Sequence, residues 1–277
     1  MGGFDEVVTQ QPVSTLHRTP GPPRQPPLSE RAVVFFDLET GGLEPERHPI
    51  IQLAAVAVSG DLERELGELE IKLRFDPAHC EVEALRGNSF GLNQPWPSSE
   101  RPNEMLSTDG MAWESRFDEC MLAARANWDC TAVPEAEALR RFSAFLRGRA
   151  TTRMLSKRGN VYNLARLGGH NVARFDVEFT TKWFKRHEAF FPAHHRVLDT
   201  YQLAAWLGEL DEEFAPPDFK LSSLMEYCGV ERRGDAHEAL SDVRGALDLA
   251  RALRRRLYAL GGYVEPGPAI GVTGGGR

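Results

Sequence analysis

Little in this chain of 277 residues speaks for covalent cross-linking or for a membrane. It has only four cysteines (Cys80, Cys120, Cys130 and Cys228) and no CxxC pair. That excludes a disulfide framework and a thiolate zinc site, and it points to a reducing, cytoplasmic setting. The longest nearly apolar run, Ile50 to Val58, is interrupted by Gln52 and is far shorter than the ~20 residues a membrane helix needs. The first residues, MGGFDEVV, show no basic stretch leading into an apolar one, so no export signal or anchor is expected. An excess of positive charge is also missing. Lys and Arg number 33 against 40 Asp and Glu, a net charge of −7, which excludes a small protein that grips nucleic acid by bulk charge. An enzyme is not excluded, because it needs positive charge only locally and bound metal ions can supply some of it.

What is present is an ordinary globular balance, 42% hydrophobic and 26% charged residues, in a length that suits one elaborated domain. Residues 11 to 30 hold six prolines and few large apolar side chains, so residues 1–30 read as a flexible Pro-rich leader. Residues 261–277 read as a Gly/Pro-rich tail. Between them lies a domain at 31–260. It opens with AVVFFDLET, a GGL turn and IIQLAAVAV, two strand-like runs. A third strand is expected over Leu69 to Phe75, where Leu69, Ile71, Leu73 and Phe75 alternate with polar residues. Helical spacing then predicts a helix over Val133 to Arg149, followed by a strand near Val161 to Leu167 and a helix over Val177 to His187. A short strand at Arg196 to Leu198 and helices over Thr200 to Leu207, Leu221 to Cys228 and Asp235 to Leu260 complete the pattern. It describes an α/β fold, a mixed sheet flanked by helices. Residues 77–129 break the rhythm and read as a large insertion after the third strand, with Trp96, Trp113 and Trp128 as members of a small core of its own.

Three acidic segments stand out. Asp37 and Glu39 lie two apart on a strand, so their side chains share a face, with Cα atoms about 6.5–7 Å apart. Asp176 ends GHNVARFD, where an ordinary helix N-cap is the plain reading. In DAHEALSD, Asp235 and Glu238 have capping-box spacing, which puts His237 in the first turn and Asp242 near the second. At that separation on a helix, His237 and Asp242 point apart and serve separate roles.

Taken together, these segments resemble the DEDDh (DnaQ-like) 3′–5′ exonucleases, which include the proofreading subunit of bacterial replicative polymerases, ribonuclease T and oligoribonuclease. The resemblance rests on Asp37 and Glu39, then Asp176, then His237 with Asp242, in the family's order. The HN…FD context of Asp176, the LDT of Leu198 to Thr200 and KLSSLMEYCGV support it. It implies a ribonuclease H-like fold and two divalent cations, Mg²⁺ or Mn²⁺, which suit hard oxygen ligands. It further implies that Asp37 bridges both ions, Glu39 and Asp242 complete the nucleophile-side shell, Asp176 holds the other ion, and His237 accepts the proton of the attacking water. Thr40, Gly41, Gly42 and Leu43 would meet the terminal nucleotide, Leu43 as an apolar wedge. Gly41 stands where many relatives carry a second Thr. Asn171 and Phe175, five and one residues before Asp176, are further candidate substrate contacts. Arg232 and Arg233, with Lys157 and Arg158, are candidate phosphate contacts, whereas Arg254 to Arg256 read as a solvated face.

The expected substrate is the 3′ end of a nucleic acid, with single-stranded DNA preferred over RNA. An exoribonuclease is the alternative, and a nuclease fold kept as a partner-binding module is the non-enzymatic one. A phosphatase with Asp37 as nucleophile would leave Asp176, His237 and Asp242 unexplained. No polymerase segment is evident, so a role in proofreading or DNA repair would need a separate polypeptide, contacted through the insertion or the leader.

Overall fold

A computed structural model describes residues 23–88, 90, 113–234 and 238–262. In chain order the elements are β1 (Ala32–Thr40), β2 (Ile50–Ser59), β3 (Glu65–Lys72), α1 (Val82–Gly87), α2 (Trp113–Asp129) and α3 (Glu135–Gly148). Next come β4 (Thr152–Leu155), β5 (Val161–Leu164), β6 (Arg166–Gly169), α4 (Asp176–Arg186), β7 (Leu198–Asp199), α5 (Thr200–Leu210), α6 (Leu221–Tyr227) and α7 (Ala239–Leu260). The main sheet runs β3-β2-β1-β6-β7. Its first three strands form an antiparallel meander, and β6 and β7 run parallel to β1. The expected mixed sheet flanked by helices is therefore present.

Residue parity along β1 decides which layer each side chain enters. Val34, Phe36 and Leu38 join a core with Phe142 and Leu146 of α3 and Phe179, Trp183 and Phe184 of α4. Val33 and Phe35 point the other way, into a core with Ala54, Val56 and Val58 of β2 and Val243, Ala246, Leu247 and Ala250 of α7. α5 and α6 pack behind α7 through Leu207, Leu224, Met225, Leu249 and Leu253. With every residue of β2 buried, the sheet is covered on both faces, as a mixed α/β sheet requires.

Three expectations need correction. The strand near Val161 to Leu167 is two strands: β5 pairs antiparallel with β4 in a separate hairpin, and β6 joins the main sheet. The break falls at Ala165, which instead bridges Ala193. The last helix begins at Ala239 rather than Asp235, because Glu238 keeps an extended backbone (φ −101°, ψ 113°) and its side chain makes no cap. Asp242 consequently sits in the first turn, its N–H donating to Glu238 O at 3.0 Å. Asp235 and His237, and with them the expected spacing between His237 and Asp242, lie outside the described residues. Finally, the insertion contains the 17-residue helix α2. Its apolar residues do not all fall on one stripe, since Leu122 is exposed while Ala124 and Trp128 are buried.

Trp128 does belong to a small core, with Ile51, Leu85, Phe90, Ala124 and Ala132, and its indole N–H donates to Leu73 O at 2.8 Å. Trp96 lies outside the described residues, as do the side chain of Trp113, residues 1–22 and residues 263–277. The last part of the expected leader is held in place. Gln25 exchanges two hydrogen bonds with the backbone of Arg153, at 2.7 and 2.9 Å. Among the described residues, no helix is long and apolar enough to cross a membrane.

Candidate active site

Asp37 and Glu39 continue the parity of Val33 and Phe35 and so project on the α7 side of the sheet, at the carboxyl end of β1. The first turn of α7 faces them and supplies Asp242. One carboxylate oxygen from each of Asp37, Glu39 and Asp242 lies within 4.8 Å of the others. Asp176 arrives from the opposite layer. β6 pairs with β1 only as far as Phe35, so the later amides on that edge of β1 lack a strand partner. Asp176 supplies one, its Oδ1 accepting the N–H of Leu38 at 2.9 Å. It is the first residue of α4 and not its N-cap, and it is buried.

Gathering four acids at a covered strand end is electrostatically unfavourable, and the ionisation of the site shows it. Burial first, then the charges of Asp176, Glu39 and Asp242, hold the Asp37 carboxyl well above the usual carboxylate range. Burial with Asp242 and Asp176 pushes Glu39 up to about 8, and burial pushes Asp176 up to about 7 against the opposing pull of the Leu38 amide. Among the described residues one cation enters the cluster, the Arg232 guanidinium, ion-paired with Asp242. The pocket thus holds more acid than its own bases offset. Its hard oxygen donors suit a divalent cation such as Mg²⁺ or Mn²⁺.

The remaining expected residues fall in several places. Thr40 donates its hydroxyl to Gly42 O at 2.7 Å. Gly41 and Gly42 permit a close approach, because a Cβ on Gly41 would overlap Cys80 Sγ and one on Gly42 would lie 2.5 Å from His48 Nδ1. Leu43 is 74% exposed at the tip of this loop. Asn171 takes a positive φ of 54° in the turn before α4, and Phe175 packs against the α3–α4 core with its ring 4.8 Å from Phe179. Arg233 pairs with Asp248 at 3.5 Å. Lys157 and Arg158 lie in the turn of the β4–β5 hairpin, exposed and apart from the main sheet. Arg254 and Arg256 pair with Glu63 and Asp211.

Two supporting residues had no role assigned from sequence. Asp199, the middle of LDT, accepts N–H bonds from Asn171, Ala173 and Tyr201 at 2.9–3.0 Å, which ties the turn carrying Asp176 to β7. An Asp between the end of a strand and the start of a helix was the available signal. His48 is buried, takes the Glu44 N–H on Nδ1 at 3.0 Å, and backs the glycine loop. Replacing Asp199 with Ala strands three amide donors. The expected cost is about 2–4 kcal/mol in urea unfolding, with a fall in kcat larger than any rise in KM as Asp176 loses its support.

Residues 135–250 match the profile of the exonuclease family. This segment is similar to that family over less than half of the chain. No curated protein matches the chain significantly. Among solved structures, the chain is similar to exonuclease I of E. coli in a zinc-bound complex with single-stranded DNA. That match has 18% identity, a TM-score of 0.56, and coverage of 84% of this chain and 42% of the other. It is similar as well to the same enzyme with a dT13 oligonucleotide (19%, TM-score 0.56, 84% and 43%). Exonuclease I of Methylocaldum szegediense gives comparable figures (19%, TM-score 0.57, 83% and 42%). The chain thus spans less than half the length of these structures, which share its fold. The matched segment contains Asp176 and Asp242, while Asp37 and Glu39 lie on β1, which precedes it.

Proposed function

We propose that the protein is a metal-dependent 3′–5′ exonuclease that hydrolyses phosphodiester bonds at the 3′ end of single-stranded DNA. The observation that carries this reading is the convergence of Asp37, Glu39 and Asp242 within 4.8 Å, with Asp176 anchored beside them on the Leu38 amide. Asp37, Glu39, Asp242 and Asp176 would hold two divalent cations, which when bound supply charge neutralisation at the phosphoryl group and an acidified water. β1 presents Asp37 and Glu39 on one face, α7 fixes Asp242 opposite, and α4 fixes Asp176 from the far layer. Arg232 offsets part of the Asp242 charge and stands within reach of an incoming phosphate. His237 retains the proton-accepting role that the family resemblance implies, a task suited to imidazole at neutral pH. The exposed Leu43 and the close-packed Gly41–Gly42 turn supply an edge against which a terminal base can rest.

Single-stranded DNA is preferred over RNA because the solved structures of similar fold include complexes with single-stranded DNA and with dT13. The four free cysteines favour a reducing, cytoplasmic setting. Digestion of 5′-labelled DNA and matched RNA of the same sequence tests the proposal. With Mg²⁺ or Mn²⁺ the label should pass through a ladder shortened one nucleotide at a time, faster on DNA, and the ladder should vanish in EDTA. Binding without cleavage in either metal would show a partner-binding module instead.

A further inference from the structure

The far end of the same sheet face carries the opposite charge. Arg166 opens β6 opposite Val33, and partners across a parallel ladder share a face, so Arg166 projects on the α7 side. Arg31 precedes β1 by one residue and has the parity of Val33. Arg196 lies two residues before Leu198, which pairs with Gly168 and packs on the α7-side core. Three neighbouring chain segments thus bring three guanidinium groups to one corner. The corner lies about 20 Å along β1 from Asp37, at about 3.3 Å per residue.

Nothing acidic answers them. Arg186, Arg232, Arg244, Arg254 and Arg256 each have a carboxylate partner, but among the described residues Arg31, Arg166 and Arg196 form no ion pair. Arg31 donates through Nε to Pro26 O at 2.6 Å. Burial, with Arg31 and Arg196 beside it, lowers the pKa of Arg166, the sign of cations held together without an anion. The segment carrying Arg196 is fixed against β6, since Ala165 N–H donates to Pro192 O at 2.9 Å and His194 N–H donates to Ala165 O at 2.8 Å. His194 accepts the Arg196 N–H on Nδ1 at 3.0 Å. Burial, followed by the nearby His195, Arg196 and Arg166, lowers its pKa, and with Nδ1 accepting, Nε2 is the nitrogen left to donate from the ring.

We propose that Arg31, Arg166 and Arg196 form a phosphate-binding site, separate from the acidic cluster, that takes one phosphate group either as inorganic phosphate or as the phosphate of a nucleotide. Guanidinium forks match phosphate oxygens in pairs, and a bound dianion would relieve the mutual repulsion of the three cations.

The test uses the full chain in EDTA, which removes any metal-dependent phosphate binding at the acids. Thermal melts and calorimetry are run with inorganic phosphate, with a deoxynucleoside monophosphate and with sodium chloride at matched ionic strength. A phosphate ligand at ten times its dissociation constant should raise Tm by about 3–5 °C, with a calorimetric isotherm that saturates. Saturation by inorganic phosphate identifies an ion site, and saturation by the monophosphate alone identifies a nucleotide site. Arg166→Gln should weaken binding about tenfold or more and raise the Tm of the phosphate-free protein, while Asp37→Asn should bind phosphate as the unmodified chain does. Arg196→Gln, at an exposed position, carries the same affinity test if Arg166→Gln does not fold. Equal shifts with chloride, or unchanged affinity in both arginine variants, would overturn the proposal.

Discussion

Replacing Asp37 with asparagine is expected to lower exonuclease turnover on the order of 10³-fold or more, the loss of several kcal/mol of transition-state stabilisation, while the protein stays folded. The substitution keeps the shape of the side chain and removes its charge. Asp37 is the acid against which Asp176, Glu39 and Asp242 all press, so taking that charge away leaves the metal-free fold unchanged or more stable. Asp242→Ala should be equally inactive by a different route, because it removes the contribution of α7 and leaves Arg232 without its carboxylate. Single-turnover cleavage with far-UV circular dichroism and thermal melts checks both variants. Turnover within tenfold of the unmodified chain in either would sink the assignment of these acids.

The second large effect is a dependence of stability on pH that metal should erase. Glu39 and Asp176 titrate near 8 and 7 in the folded chain, above the ordinary values near 4 that they regain on unfolding. The folded state therefore binds more protons than the unfolded state between those limits. Stability from these groups is full below about pH 4 and is lost as pH rises through the folded values, at up to about 1.4 kcal/mol per pH unit for each group. In EDTA, melting temperature should fall between pH 6 and pH 8.5, and Glu39→Gln should flatten that fall. Saturating Mg²⁺ or Mn²⁺ should restore most of the lost stability at the upper end, since a bound cation favours the ionised carboxylates. A slope identical in the unmodified chain and in Glu39→Gln would show that Glu39 does not carry the effect.

Much of this arrangement is legible in the residues. Alternation along β1 places Asp37 and Glu39 on one face without any structure, and the nearly apolar run of β2 reads directly as a strand, although its burial on both faces depends on the helices that cover it. Asp176 was legible as an acid at a helix start, but not as the partner of Leu38. That bond depends on where β6 stops pairing, which is a tertiary fact. Asp235 and Glu238 have capping-box spacing, which puts the start of α7 too early, whereas Glu238 itself is extended and its side chain makes no cap. The hairpin β4–β5 is hard to read because its strands are four residues long and bury only Leu164 fully, which leaves little alternation to follow. α2 was hidden by apolar residues divided between a small core and solvent. Asp199 was visible within LDT, yet its three amide bonds needed the turn at Asn171 to be in place.

The bond between Leu38 and Asp176 joins residues 138 positions apart, and the Asp242 carboxylate comes from the last helix. Contacts so distant in sequence close late in folding, because the loops between them cost entropy before the contacts repay it. Local pieces such as the β1–β2 hairpin can form early with Asp37 and Glu39 already aligned, but they hold only half of the acids. During synthesis the acidic cluster is therefore incomplete until α7 docks against β1, and the proposed activity waits on closure of the whole sheet.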